Sequence, residues 1–205
     1  MKKILLVMAA IAGAFTATAQ CHNQSSQCES KACSPIINTV QFSGKVATNL
    51  DAPKEIGAEV LWKRNIGKNL YFNTGANVDF DLTNAGKRGR QRDLFEAGIP
   101  IQLEWGRLSH KKAGLYGIVG VMPTVYTTIS SSSWNNTLGE RVNDPKDTGF
   151  MIEPQLEFGG NIPVGNIILR VGVYGVYKLN CTPGDYNVYQ TAGKAFFGAK
   201  IGVVL

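Results

Sequence analysis

The sequence predicts an all-β fold, an eight-stranded antiparallel up-and-down barrel that crosses a membrane. Apolar and polar residues alternate with a period of two from residue 37 to residue 205, in eight segments. The connections between these segments are alternately short and long. Aromatic residues also gather on the apolar face near both ends of the segments, as the two interfaces of a bilayer favour.

Residues 1–19 have the features of a secretory signal peptide. Lys2 and Lys3 precede an apolar run that is too short to span a bilayer, and Ala17-Thr18-Ala19 matches a cleavage site. Cleavage after Ala19 removes the two lysines and lowers the formal net charge from +6 to +4. Export and this small excess argue against nucleic acid as a partner. Residues 20–36 then form a polar, cysteine-containing periplasmic segment, and the barrel occupies 37–205.

The predicted strands differ in how cleanly they alternate. The noisier segments lie at 39–47, 54–64 and 114–127, and a count of ten strands stays open. Pro100, Pro123 and Pro154 fall inside predicted strands, where proline removes a ladder hydrogen bond. They indicate either bulges or one wrongly assigned segment. The clean segments run over 70–82, 95–105, 150–158, 167–179 and 195–205.

The polar face carries opposite charges in nearly equal number, which suits a confined interior. An eight-stranded barrel has room inside only for side chains, and buried charges need partners there. We therefore expect a lumen closed by ion pairs, helped by Tyr71, Tyr174 and Phe196. The predicted acids are Glu59, Asp79, Asp81, Glu96, Glu104, Glu153 and Glu157, and the predicted bases are Lys45, Lys63, Arg170, Lys178, Lys194 and Lys200.

The aromatic belts and the connections predict an orientation. Membrane barrels have short periplasmic turns and longer external loops. The connections near 65–68, 106–113 and 161–165 are the shorter set, and those near 83–91, 129–147 and 180–191 are the longer set. Eight strands then place both termini on the periplasmic side. One belt contains Trp62, Phe72, Trp105 and Phe158, and the other contains Phe80, Phe95, Phe150 and Tyr177.

The run Leu94-Phe95-Glu96-Ala97-Gly98-Ile99-Pro100-Ile101-Gln102-Leu103 resembles a strand of the porin-like outer membrane β-barrel domain of Bacteroidetes. The Ala-Gln junction at the predicted cleavage site and the glycine-rich closing strand are similar to that family, and OmpA/OmpX-type barrels share the architecture. The resemblance implies the fold and an outer-membrane location, and it implies no defined activity. A departure is Leu205, because many such barrels end in an aromatic residue.

Four cysteines follow the predicted cleavage site. Cys21, Cys28 and Cys33 lie close to His22 in the sequence, and this group is a candidate site for a soft metal. Their spacing matches no standard zinc pattern, and disulfides or free thiols are the favoured reading for an oxidising compartment. Lipidation of Cys21 is a further alternative. Cys181 falls in a predicted external loop, far from the others, and no cofactor is expected.

The loops offer the candidate contacts with partners. The serine-rich loop presents Trp134 and Asn135 to a surface partner. Lys87, Arg88 and Arg90 are placed to meet the anionic headgroups of lipopolysaccharide. His22 in the tail and His110 in a periplasmic turn are badly placed for catalysis at the external rim, so we expect no enzyme.

Three functional hypotheses follow from the sequence. The leading one is a structural or surface-interaction barrel with a closed lumen and external recognition loops. The second is a narrow passive pore for small solutes. The third is a soluble periplasmic barrel resembling lipocalins, in which the apolar face would point inward.

Overall fold

The computed structural model describes residues 38–48, 54–84, 91–135, 137–143, 148–181 and 195–205. The predicted signal peptide and the cysteine-containing segment at 20–36 lie outside these residues. Within them, no helix has the length and apolarity needed to span a membrane.

Eight long strands make up the described part of the chain. A short ninth strand, Glu140–Asn143, pairs only with the end of β5. Strand β4 has two pieces, and β7 continues for two residues after Lys178. The barrel strands are β1 Asn38–Thr48, β2 Lys54–Gly67, β3 Leu70–Asn84, β4 Gln91–Gly98 and Ile101–Gly106, β5 Gly114–Asn135, β6 Thr148–Val164, β7 Ile167–Tyr177 with Leu179–Asn180, and β8 Ala195–Val204.

Each barrel strand pairs with its neighbours in the sequence, and every pairing is antiparallel. Strand β8 returns to β1 and closes the ring, with Val203 opposite Phe42. Closure leaves no sheet edge among these eight strands. The predicted fold class, an eight-stranded up-and-down barrel, is confirmed.

Strand β4 is interrupted at Ile99 and Pro100 without losing its register. Gly98 faces Asn77 and, beyond the break, Ile101 faces Thr74, so the same offset holds on both sides. The Ile99 amide donates to the Pro123 carbonyl oxygen at 3.1 Å, which keeps the ladder closed beside the proline. The alternation of side chains therefore continues through the break.

The other two prolines lie within continuous strands. Pro123 on β5 faces Ile152, and Pro154 on β6 faces Val121. Both lie on the outward side of the barrel, in phase with their apolar neighbours. None of the three prolines marks a wrongly assigned segment.

Several strands extend further than the alternation indicates. The β2–β3 turn consists of only Lys68 and Asn69, which is shorter than the predicted turn at 65–68. Asn69 there adopts the left-handed φ of 59° that asparagine tolerates. Much of the predicted loop at 129–147 is strand, because β5 continues to Asn135 and pairs with 140–143. A run of four serines carries no alternation of polarity, so the pattern could not reveal this extension.

The barrel is apolar outside and polar inside. Outward side chains such as Phe42, Val60 and Leu156 are exposed, whereas the intervening side chains are buried. Three clusters of buried apolar side chains lie inside the barrel, towards the two ends of the lumen. At the turn end they are Tyr71, Leu108, Ile168 and Val204, and at the loop end they are Leu94, Tyr126 and Met151 with Ala47, Tyr174, Val176 and Phe196.

Candidate functional site: the charged lumen

Between these apolar ends, the lumen holds a dense set of buried charges. Among the described residues, eight acidic and five basic side chains are buried. They all occupy inward positions on the strands. The acids are Glu55, Glu59, Asp79, Asp81, Glu96, Glu104, Glu153 and Glu157, and the bases are Lys45, Lys63, Arg170, Lys178 and Lys200.

The charges nearest the hairpin turns centre on Arg170 of β7. Its Nη1 donates to Glu104 Oε2 at 3.1 Å, and its Nη2 lies 3.0 Å from Glu104 Oε1 in a charged contact. Arg170 also donates to Gln41 Oε1 at 3.0 Å. Lys63 and Asn73 donate to the same Glu104 carboxylate. Glu104 on β4 is thus contacted by side chains from β2, β3 and β7.

A tyrosine stacks on this arginine and joins it to the next ion pair. The Tyr116 ring lies 3.4 Å from the Arg170 guanidinium carbon, and its hydroxyl donates to Glu157 Oε1 at 2.6 Å. The ring lies over the paired Gly159 and Gly172, where an added Cβ would collide with the tyrosine hydroxyl. Both glycines are required by this close approach.

Lys200 completes the turn-end layer, which we define as Glu59, Lys63, Glu104, Glu157, Arg170 and Lys200. Its ammonium lies 2.7 Å from both Glu157 and Glu59. Lys200 and Lys45 are directly opposite one another on the closing pair of strands. They reach in opposite directions along the barrel, because Lys45 pairs with Asp79 at 2.8 Å. Three acids and three bases balance in this layer.

The loop-end layer is richer in acids. Lys178 lies 2.7 Å from both Glu96 and Glu55, and 3.7 Å from Asp81. Its ammonium also lies 4.5 Å from the centre of the Phe196 ring. Glu55 is further held by the Tyr174 hydroxyl, which donates to Oε1 at 3.3 Å. This layer contains two buried lysines, Lys45 and Lys178, and five buried carboxyl groups, those of Glu55, Asp79, Asp81, Glu96 and Glu153.

The structure brings together the interior residues that the alternation singled out, wherever it describes them. Lys194 lies outside the described residues. Glu55 is absent from the predicted set, because Gly57 and Ala58 obscure the alternation of β2. Its parity with Glu59 and Lys63, two and four positions along the same face, is the signal that could have identified it.

The predicted loop contacts are only partly described. Lys87, Arg88 and Arg90 lie outside the described residues, and the Trp134 side chain is not described. Asn135 is half-buried, and its Oδ1 accepts hydrogen bonds from the amides of Thr137 and Leu138 at 2.9 and 3.2 Å. The Asn135 side chain therefore stabilises the turn of the hairpin through its Oδ1.

The remaining candidates concern metals and catalysis. Cys21, His22, Cys28 and Cys33 lie outside the described residues, and Cys181 is an exposed free thiol. The described residues contain no cluster of three or more His, Cys, Asp or Glu suited to a metal ion. His110 is exposed in the turn between β4 and β5, where the sequence predicted it.

Comparisons with known proteins find similarity at the level of the fold. No family model and no curated protein sequence matches the chain. The crystal structure of Neisserial surface protein A is similar, with a TM-score of 0.50 and 11% identity over 82% of this chain and 94% of that one. The N-terminal β-barrel domain of Pseudomonas aeruginosa OprF aligns with a TM-score of 0.43 and 10% identity, over 82% of this chain and 98% of that domain.

Proposed function

We propose that this chain is a bacterial outer-membrane barrel with a structural or surface-interaction role and a lumen closed by ion pairs. The observation that carries the proposal is the reversed distribution of polarity, with charges buried and large apolar side chains exposed. Water would penalise such a surface, whereas the hydrocarbon of a bilayer favours it. A soluble barrel with an apolar cavity would show the opposite arrangement.

The height of the apolar surface supports insertion into a bilayer. The Phe150 and Phe158 rings lie on the outward face of β6, one in each predicted belt. Eight residues at about 3.3 Å, tilted by about 40°, give a height of about 20 Å, near the apolar band of known membrane barrels. The belts also contain aromatic contacts, with ring centroids 5.3 Å apart for Phe80–Phe95 and 5.9 Å apart for Trp105–Phe158.

The filled interior supports a closed barrel over a pore. The two charge layers and the apolar clusters at both ends occupy the cross-section of the lumen with side chains. Opening a path would break several buried ion pairs, each of which costs several kcal/mol when one partner is left alone. The narrow pore is therefore the less favoured function.

The loop end supports a role in surface interaction. Strand β5 has 22 residues and continues past the aromatic belt into a hairpin with 140–143. This hairpin exposes Leu138 at its turn. Rigid barrels carry recognition on such projecting segments. The basic residues Lys87, Arg88 and Arg90 add a proposed contact with lipopolysaccharide, which rests on their sequence position alone. No step of this role requires catalysis or a cofactor.

Membrane fractionation combined with gel migration tests the proposal. The full-length protein is expressed in a Gram-negative host, and its outer-membrane fraction is run on SDS gels with and without boiling. We expect the unboiled protein to migrate as a compact band that shifts when it is boiled. Recovery in the soluble periplasmic fraction without a shift would contradict membrane insertion. Bilayer conductance above that of detergent alone would favour the pore.

A further inference from the structure

The described turn end of the barrel carries a one-sided set of exposed cations. They lie on two hairpin turns that are adjacent in the ring, β2–β3 and β4–β5. Because β2 to β5 are consecutive strands, these cations form one continuous group, which we call the basic arc. Its members, all exposed, are Arg64, Lys68, Arg107, Lys111 and Lys112.

No exposed acidic side chain accompanies the basic arc in the described residues. Glu140, which is exposed, and Asp93, which is half-buried, both lie towards the loop end. The lumen carboxylates are buried and engage interior cations. Among the described residues, no side chain at that end compensates the positive charge of the arc, which is available to an anion outside the barrel.

Two tryptophans fix the depth of the arc. Trp62 is two residues before Arg64 on the same face of β2, and Trp105 is two residues before Arg107, which follows the end of β4 at Gly106. Both indoles are about half exposed, at 41% and 53%. Tryptophan favours the boundary between hydrocarbon and headgroups. Arg64 and Arg107, each two residues further along from a tryptophan, then lie at the level of the lipid phosphates.

Apolar side chains are interleaved with these cations. Ile66 lies between Arg64 and Lys68 in the sequence and is 52% exposed, and Leu115 just after the second turn is 70% exposed. A soluble acidic partner would compensate the charge and leave these side chains beside a polar surface. A phospholipid supplies both a phosphate for the cation and hydrocarbon for the neighbouring apolar group.

We propose that the basic arc binds the headgroup phosphates of anionic phospholipids and enriches them beside β2–β5 in the leaflet at the turn end. Lysine and arginine both form charge-assisted bonds with phosphate, and arginine can do so through two donors. This inference rests on the proposed membrane function, and it adds a ligand class to the turn end. The third hairpin turn, at Gly165 and Asn166, carries no cation, so lipid binding is confined to one side of the barrel.

Quenching of tryptophan fluorescence by brominated lipids tests the inference. The chain has three tryptophans, and Trp134→Phe leaves the two beside the arc as reporters. This variant is reconstituted into vesicles with a small fraction of brominated phosphatidylglycerol, or of brominated phosphatidylcholine, in unlabelled phosphatidylcholine. We expect half-maximal quenching at a fraction of phosphatidylglycerol about five-fold lower than that of phosphatidylcholine, and the difference shrinks in high salt.

Two matched variants assign the preference to the arc. Replacement of all five cations by glutamine should make the two brominated lipids quench equally. The charge-conserving exchange, Arg64→Lys, Lys68→Arg, Arg107→Lys, Lys111→Arg and Lys112→Arg, should keep the preference. A preference that survives in the glutamine variant would overturn the assignment to the arc.

The outcomes also separate this inference from the proposed function. Equal quenching by both lipids in the starting protein would overturn lipid selection while leaving membrane insertion intact. Absence of quenching by either lipid would show that the tryptophans do not contact hydrocarbon. That result would overturn the membrane barrel itself, together with the inference that rests on it.

Discussion

Arg170 on β7 and Glu104 on β4 are joined across the lumen by one hydrogen bond and a second charged contact, although their strands are not neighbours. The pair connects opposite parts of the ring, and Gln41, Lys63 and Asn73 attach to it from β1, β2 and β3. The lumen is thus braced by side chains in addition to the hydrogen-bonded wall.

Arg170→Met should destabilise the barrel by about 3 kcal/mol, because it removes the principal partner of a buried carboxylate. The free energy of unfolding in detergent, from urea titration, measures this loss. The double variant Arg170→Met with Glu104→Leu should recover part of this stability, because the unpaired carboxylate is removed. The recovery should be incomplete, because Lys63 then loses its own carboxylate partner. A single variant as stable as the starting protein would contradict the bracing role.

Gly172→Ala should destabilise the barrel by about 1–3 kcal/mol, because the new methyl group collides with the Tyr116 hydroxyl. Gly44→Ala is the matched control. A Cβ at Gly44 meets no atom within 4 Å, so unfolding should change little. Equal effects at both glycines, measured by the same urea titration, would show that packing against Tyr116 is unimportant.

Val121→Arg should cost about 2–4 kcal/mol in a bilayer, because Val121 lies on the outward face at the middle of the apolar band. Leu138→Arg places the same charge on an exposed residue of the loop-end hairpin, where little change is expected. Folding yield into vesicles, read from gel migration without boiling, compares the two. An unimpaired Val121→Arg protein would argue against a lipid-facing surface.

Asn135→Ala should loosen the loop-end hairpin, because two backbone amides lose their side-chain acceptor. Each lost bond is worth about 1 kcal/mol. Hydrogen exchange of residues 135–143 should accelerate several-fold while the barrel wall keeps its protection. Thr137→Ala is the control, since that residue contributes its backbone amide to the bond. No change in exchange would mean that other contacts hold the hairpin.

The fold was more predictable from the sequence than the pairing inside the barrel. A period of two determines to which face of the sheet each side chain points. The interior positions of β3, β4 and β6 therefore follow directly from residues such as Asp79, Glu96 and Glu157. Parity does not give the height of a residue in the barrel, because height depends on strand tilt and on the offset between strands. The partner of Arg170, 66 residues earlier in the chain, was therefore beyond the reach of the pattern.

Strand ends were predictable only where polarity alternates. The serines before Asn135 pair with Gln91–Asp93 on one side and with 142–143 on the other. Neighbouring strands supply the hydrogen bonds that hold this run extended, and a single sequence does not reveal which neighbours will be in place. The same reasoning explains why the β2–β3 turn is shorter than expected, because pairing with β3 extends β2 to Gly67.

The two lysines that face each other across the closing pair of strands have a consequence for the order of assembly. Lys45 and Lys200 are in register on β1 and β8, and like charges placed directly opposite repel. Their compensating carboxylates come from the intervening strands, from Asp79 on β3 for Lys45 and from Glu59 on β2 and Glu157 on β6 for Lys200. A nascent sheet whose termini met first would bring two cations together without counter-charges. Zipping of β1 to β8 is therefore favourable only after the intervening hairpins have formed, which makes it a late step of folding.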